Sequence, residues 1–283
     1  AIGILSSRLL MGHRAGHLNR AVEERTRELQ RLTAELLQRE RQTERSLKVA
    51  GQLMNRLLLP STPPVGPELA WAVHFRPLGP LGGDYYDFAQ PDGRHLGVLI
   101  ADASGHSLPA AMVAIMARIA FAEVGQDAIA PAAVLRLMNQ RLQELTDERF
   151  VSAFYGAYDR VSRRFTYAGA GHPPPLHFDA RAGVVRSLHS PGLLLGIDPN
   201  VEYHEQSIAL FPGDRLCLFT DGVTESRGPG GEQFGLARLD AVLTVPGGHA
   251  DAVLRRMLAT LTDFRGGEPA TDDETLLVGE IRS

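Results

Sequence analysis

"LIADASGHSLPAAM", residues 99–112, sets the reading of the chain: an apolar run stops at Asp102, small and polar residues follow through His106, and Pro109 opens an apolar tail. The pattern predicts a strand ending on a carboxylate, a tight loop, and a helix with proline in its first turn. Asp102, Ser104 and His106 can each do chemistry. A nucleophilic Ser104 needs the Gly-x-Ser-x-Gly elbow, but Asp102 stands where the first glycine belongs, which disfavours a Ser-His-Asp hydrolase.

Working outward, short apolar runs bounded by turns predict strands at 69–76, 84–90 and 95–103, with a Pro-Asp-Gly turn at 91–93. Two helices follow, opened by Pro109 and Pro131; the first is apolar nearly all round and is expected to be buried. Strands resume at 150–160, 164–172, 174–179, 184–189, 204–210 and 214–220, and helices near 235–243 and 250–264 precede a last strand at 275–281. Runs such as "FVSAFYGAY" and "RLCLFT" are apolar on both faces, so the sheets are expected to be covered on both sides. Strands in hairpin order with helices inserted in pairs give an α+β sandwich of stacked sheets with helices outside.

The N-terminal part differs. Leu18, Val22, Leu29, Leu32 and Leu36 follow a 4-3 spacing on an otherwise polar stretch, with Glu23/Arg27 and Glu35/Arg39 spaced as helical ion pairs. So narrow a seam suits a parallel coiled-coil dimer. We expect a helical stalk at 1–46, a linker or switch helix at 47–60 ended by "PSTPPVGPE", and a globular domain at 61–283. The chain opens "AIGILSS" without a methionine and is expected to continue a longer protein whose upstream part holds a sensor or a membrane segment. No run within it reaches the roughly 18 apolar residues of a membrane span.

Composition excludes other classes. Of 283 residues 44% are hydrophobic, enough for a sizeable core, and the single Cys217 rules out an internal disulfide and fits a cytoplasmic location. Residues 1–60 carry 11 Lys+Arg against 6 Asp+Glu, so the rest holds the acidic excess and is a poor partner for nucleic acid. Lys48 is the sole lysine, and no Gly-Lys-Ser/Thr phosphate loop is present.

Chemistry is carried by aspartates at strand ends and tight loops: Asp84 in "GGD", Asp102, Asp221 in "FTDG", and Asp272 and Asp273 in "TDDET". Hard divalent ions take all-oxygen ligands, and paired ions activate water for attack at phosphorus. "GGDYY" invites comparison with diguanylate cyclases, but Tyr85 and Tyr86 replace their acidic residue and phenylalanine, and no lysine after Lys48 could hold a triphosphate.

In order along the chain, "LGGDYYDF", "IADASGHSLPAAM", "FVSAFYGAYD", "YAGAGHPPPLHF", "GLLLGI", "PGDRLCLFTDGVTES", "EQFGLARL" and "TDDETLLV" resemble the metal-dependent protein phosphatase (PPM) superfamily, in its bacterial branch of stage II sporulation E and sigma-B regulator serine phosphatases. The resemblance implies a four-layer αββα sandwich holding two, or three, Mn²⁺ or Mg²⁺ ions. Asp102 would bridge two ions and the Ala103 carbonyl would help hold one. Asp221 and Asp272 would complete the other, with Asp273 the fallback for Asp272, and Asp84 would act on the second ion directly or through water. Gly83 and Gly105 would let the backbone pass close to the ions. His106 would be either the general acid for the leaving serine oxygen or a loop-stabilising residue, since it follows Asp102 by four positions where the eukaryotic branch has two. Ser107 departs from the branch's glycine, and His172 is read as structural.

The expected function is hydrolysis of phosphoserine or phosphothreonine on a bacterial signalling protein, an anti-anti-sigma factor of the STAS type. The chain would act as a homodimer through its N-terminal helix, with movement around residues 52–59 as the switch. The rival is a catalytically silent binding module on the same fold.

Overall fold

The computed structural model describes residues 25–51, 63, 66, 68–79, 82–105, 107–124, 129–145 and 149–282. Most of the expected linker helix, the first 24 residues, and His106 lie outside them. The chain falls into two compact units, Ala1–Ala50 and Gly51–Ser283.

In the first unit the described residues form a helix, α1 (residues 25–51), whose Leu29, Leu32 and Leu36 are exposed on one stripe. Glu35 pairs with Arg31, one turn earlier, rather than with Arg39.

The second unit stacks two five-stranded antiparallel sheets. One has the order β1 (Leu69–Arg76), β10 (Glu274–Ile281), β9 (Arg215–Phe219), β6 (Leu176–Asp179), β7 (Val184–Ser187). The other runs β2 (Asp84–Ala89), β3 (His95–Ala103), β4 (Val151–Asp159), β5 (Arg164–Ala170), β8 (Gln206–Ala209). Helices α2 (Ser107–Val124) and α3 (Pro131–Leu145) cover the second sheet; after the short α4 (Asp221–Thr224), α5 (Leu236–Leu243) and α6 (Ala250–Arg265) cover the first. The αββα layering thus follows from strands that are apolar on both faces.

Side chains alternate across each strand, so one parity on every central strand belongs to the space between the sheets. On β3 that set is Leu96, Val98 and Ile100; on β4 Phe154 and Tyr158; on β9 Leu216 and Leu218; on β10 Leu277 and Ile281. The opposite parity, including Leu99, Ala101, Tyr155, Cys217 and Phe219, packs under the helices.

The expectation that α2 is buried all round is not met. Its small residues Ala110, Ala114, Ala117 and Ala120 lie against the sheet, while Met112 and Ile119, 48% and 46% exposed, point away from it. A helix resting on one sheet and one neighbouring helix has too few contacts to bury its whole circumference.

A buried ion pair ties α6 to the start of β10: Arg265 holds Glu274 and also donates to the Ser226 hydroxyl at 2.6 Å, with both charged groups buried. Removing Arg265 leaves the buried Glu274 carboxylate with the weaker His74 contact at 3.5 Å, so Arg265→Ala should cost about 3 kcal/mol in urea unfolding. Arg265→Met combined with Glu274→Leu should lose less than Arg265→Ala alone.

Candidate functional site

The inter-sheet parity explains where the polar residues gather. Two positions beyond Ile100 on the same face of β3 comes Asp102; two before Tyr86 on β2 comes Asp84; two beyond Leu218 comes Thr220; two before Leu277 comes Thr275; two before Phe154 comes Ser152. At this end the apolar space between the sheets gives way to oxygen atoms.

Asp84 and Asp102 are direct partners in the β2–β3 register, and Ser152 is opposite Asp102 on β4. Like charges directly opposite each other destabilise a sheet, and burial makes this worse. Asp84, only 2% exposed, is stabilised from the other sheet: Thr275 and Thr220 donate their hydroxyls to its Oδ2 at 2.6 and 2.8 Å. Burial, and then Asp102, still hold its carboxyl well above the ordinary carboxylate range, against the lowering effect of those two hydroxyls. Asp102 has no such donors among the described residues. Burial, followed by Asp221, Asp272 and Asp273, pushes it up to about 7.

Asp221 opens α4 directly after Thr220 and is half-buried; burial and the nearby Glu225 raise its carboxyl. Asp272 and Asp273 differ although adjacent. Asp273 is buried and its carboxylate accepts backbone N–H groups from Leu78 at 2.7 Å and Gly83 at 2.6 Å, with Asp84 N–H further off at 3.4 Å. Asp272 is exposed beside Gly222, where a Cβ would fall 3.1 Å from its own Cβ and 1.9 Å from the Asp273 carbonyl oxygen. A side chain at 222 would therefore push the two loops apart. Gly83 is similarly tight, its Cβ position 2.9 Å from the Ala103 carbonyl oxygen, and Ala103 N–H bonds back to the Gly83 carbonyl at 3.1 Å. Gly105 has φ +93°, open to glycine alone without strain. Ser107 is the first residue of α2.

A cleft of about 520 Å³ opens over this edge, bounded by Asp102, Asp221 and Glu225 and by Ser152 and His172. His172 Nδ1 lies 2.9 Å from Ser152 Oγ, and burial pulls its imidazole down to about 3, so it is neutral at pH 7. The structure thus brings Asp84, Asp102, Asp221, Asp272 and Asp273 to one edge, with Ala103 beside them. Thr220, Thr275, Ser152 and Glu225 escaped the sequence reading; strand parity puts the first three on the inter-sheet face, but their meeting with Asp84 and Asp102 shows only once the strands are in register. Among the described residues no three acidic or histidine side chains close on one point as a ready-made cage. Unneutralised carboxylates repel one another, and hard divalent ions in such sites retain several waters.

The sequence matches the family described as Stage II sporulation protein E (SpoIIE) over residues 92–282. It is 34% identical over 152 residues to the phosphoserine phosphatase RsbU of Bacillus subtilis, covering 53% of this chain and 45% of the relative. To the phosphoserine phosphatase RsbP of the same bacterium it is 24% identical over 245 residues, covering 85% and 59%. The chain spans about half the length of these curated relatives. Among solved structures, the SiaA-PP2C domain of Pseudomonas aeruginosa matches with a TM-score of 0.73 at 25% identity, over 86% of this chain and 97% of that one. Structures of the same fold at 15% and 14% identity contain magnesium and two manganese ions.

Asp102 titrates near 7 in the fold against an ordinary value of 3.8. The folded state therefore keeps a proton that the unfolded chain has released. The stability tied to that proton is complete below the ordinary value and is lost as pH rises through 7. In chelator, Asp102→Asn should raise the melting temperature at pH 8 and leave it nearly unchanged at pH 4, measured by differential scanning calorimetry.

Proposed function

Because the chain belongs to the SpoIIE family, we propose that it is a metal-dependent phosphoprotein phosphatase acting on phosphoserine or phosphothreonine. One observation carries the reading: Asp84 and Asp102 face each other across β2 and β3, at the edge where Asp221 and Asp272 also arrive. This is an all-oxygen donor set, and among the described residues that line the cleft none is a lysine or arginine. Such a set fits Mn²⁺ or Mg²⁺. Asp102, the Ala103 carbonyl, Asp221 and Asp272 would hold two ions, with Asp84 reaching the second directly or through water. When bound, such ions activate water for in-line attack on the phosphoryl group, without a phospho-enzyme.

The chain's own residues set the geometry. Thr220 and Thr275 keep the Asp84 carboxylate aimed across the sheet edge. Asp273 spends its oxygens on the backbone of residues 78–84, so it positions the "GGD" loop, and the first Asp of "DDET" is the ligand. His172 is neutral and already bonded to Ser152, which makes it a poor proton donor at pH 7. The leaving serine oxygen then takes its proton from His106 or from solvent.

The exposed Leu29, Leu32 and Leu36 stripe on α1 favours a homodimer through a stalk at 1–46, joined by a linker at 47–60 to the phosphatase domain at 61–283. The physiological substrate is a phosphorylated anti-anti-sigma-like protein of the STAS type, and the domain works in the cytoplasm. Among the described residues no helix is long and apolar enough to cross a membrane.

With Mn²⁺ present, the chain should release phosphate from p-nitrophenyl phosphate and from a phosphoserine peptide. Asp102→Ala or Asp221→Ala should each lower kcat at least about a hundredfold, the scale set by losing one electrostatic contact to the reacting group. No turnover at any metal concentration would favour the silent binding module. Deleting residues 1–45 should convert a dimer to a monomer in analytical ultracentrifugation and change kcat; no change in either would remove the stalk from the mechanism.

A further inference from the structure

The cleft lining is of two kinds: Asp102, Asp221 and Glu225 are acidic, whereas Phe150, Pro173, Pro174 and Leu194 are apolar. Phe150 is 40% exposed and belongs to none of the three core clusters, although the next residue, Val151, is fully buried under the helices. Leu194 likewise stands outside the core beside buried Leu195. Farther along the same segment, Leu193 and Ile197 are exposed as well.

Phe150 is exposed and Leu194 half-buried, and hydrogen bonds hold the backbone on both sides of them. Ser104, two residues past Asp102, donates its N–H to the Phe150 carbonyl at 2.9 Å and accepts the Phe150 N–H on its hydroxyl at 3.3 Å. Val151 and Leu195 exchange two backbone hydrogen bonds at 3.0 and 2.9 Å, and Asn139 accepts the Gly196 N–H at 2.7 Å. Leu194 lies over Gly171, where a Cβ would come 2.6 Å from its Cδ2. An apolar surface held this firmly loses little conformational freedom when covered, so its burial is available for recognition. Apolar groups placed beside a polar reaction site and outside the core mark a binding surface.

We propose that Phe150 and Leu194 form a recognition wall for the residue next to the phosphorylated one, so that the preferred substrate carries a bulky apolar side chain beside its phosphoserine or phosphothreonine. The inference rests on the phosphatase reading and specifies its substrate. The occupant follows from continuity and charge. The wall adjoins the carboxylates where the phosphoryl group is to react, within reach of a flanking side chain. Glu225, also in the lining, is exposed, and none of the described lining residues is a lysine or arginine, so an acidic flank meets repulsion there.

The test is a series of phosphoserine peptides differing only in the residue before or after the phosphoserine, set in turn to Leu, Ala or Glu. Phosphate release with Mn²⁺ is measured as kcat/KM. On one side of the phosphoserine, Leu should exceed Ala by about tenfold, the scale of one buried apolar side chain in a specificity pocket, and Glu should fall below Ala. Phe150→Ala or Leu194→Ala should bring the Leu-to-Ala ratio within about twofold of unity, and Phe150→Leu should retain most of it. The wild-type series needs no variant to fold. If p-nitrophenyl phosphate is hydrolysed but Leu, Ala and Glu peptides agree within about twofold on both sides, the wall has no role in recognition and the inference fails alone. A Leu preference that survives in both alanine variants overturns the assignment to this wall. If neither p-nitrophenyl phosphate nor any peptide is hydrolysed, the phosphatase reading fails and the inference falls with it.

Discussion

Two carboxylates opposed across adjacent antiparallel strands are an arrangement that a sheet left to itself would avoid. Asp84 and Asp102 occupy such a pair at the end of the inter-sheet core, and much of the surrounding structure answers to it. The opposite sheet supplies Thr220 and Thr275 to Asp84, and the Thr275 N–H in turn bonds the Thr220 hydroxyl at 3.1 Å. Asp273 draws the loop before β2 inward by accepting its backbone N–H groups. The Thr220 and Thr275 bonds to Asp84 join one sheet to the other, so the site's geometry depends on how the two sheets are stacked rather than on either alone.

The sandwich was legible because its evidence is periodic. Alternation on "HLGVLIADA" and unbroken apolar runs on "FVSAFYGAY" identify strands and the faces they cover, and the strand bounds agree with the structure to within a few residues. The candidate aspartates were legible for another reason: each sits at one end of an apolar run, next to small residues or a second acid. What stayed hidden needed two strands at once. Thr275 looks like an ordinary β-former until β10 is registered against β9, and nothing local in "TDDET" shows that Asp273 faces inward to backbone N–H groups while Asp272 stays at the surface. The error on α2 has the same origin, since a helix apolar on every side says how much surface it could bury but not how many neighbours will cover it.

The division of labour between the sheets also explains the spread of the site along the sequence. Asp84 and Asp102 belong to strands of one sheet, whereas Asp221 and Asp272 flank the ends of β9 and β10 in the other. β9 and β10 pair antiparallel, with Leu276 opposite Phe219, which places the end of one beside the start of the other. Gly222 then permits the backbone approach that puts Asp221 and Asp272 on the same edge. A larger residue there would separate the acids by moving the loops, without altering any acid itself.

Crowded carboxylates destabilise the fold at neutral pH, and the arrangement persists because the cost is confined to one edge. Below it, the inter-sheet core packs Leu, Ile, Val and aromatic side chains that are almost wholly buried, and burial of that kind stabilises by roughly 1.5–3 kcal/mol per large side chain. The core is therefore large enough to hold the two sheets in register while Asp102 keeps no hydrogen-bond donor among the described residues. A donor there would relieve the repulsion at this edge, as Thr220 and Thr275 do for Asp84, but it would also occupy the oxygen atoms a cation needs. The asymmetry between the two aspartates, one satisfied by hydroxyls and one left exposed to its like-charged neighbours, is what makes Asp102 the natural centre of the proposed site and Asp84 its outer member.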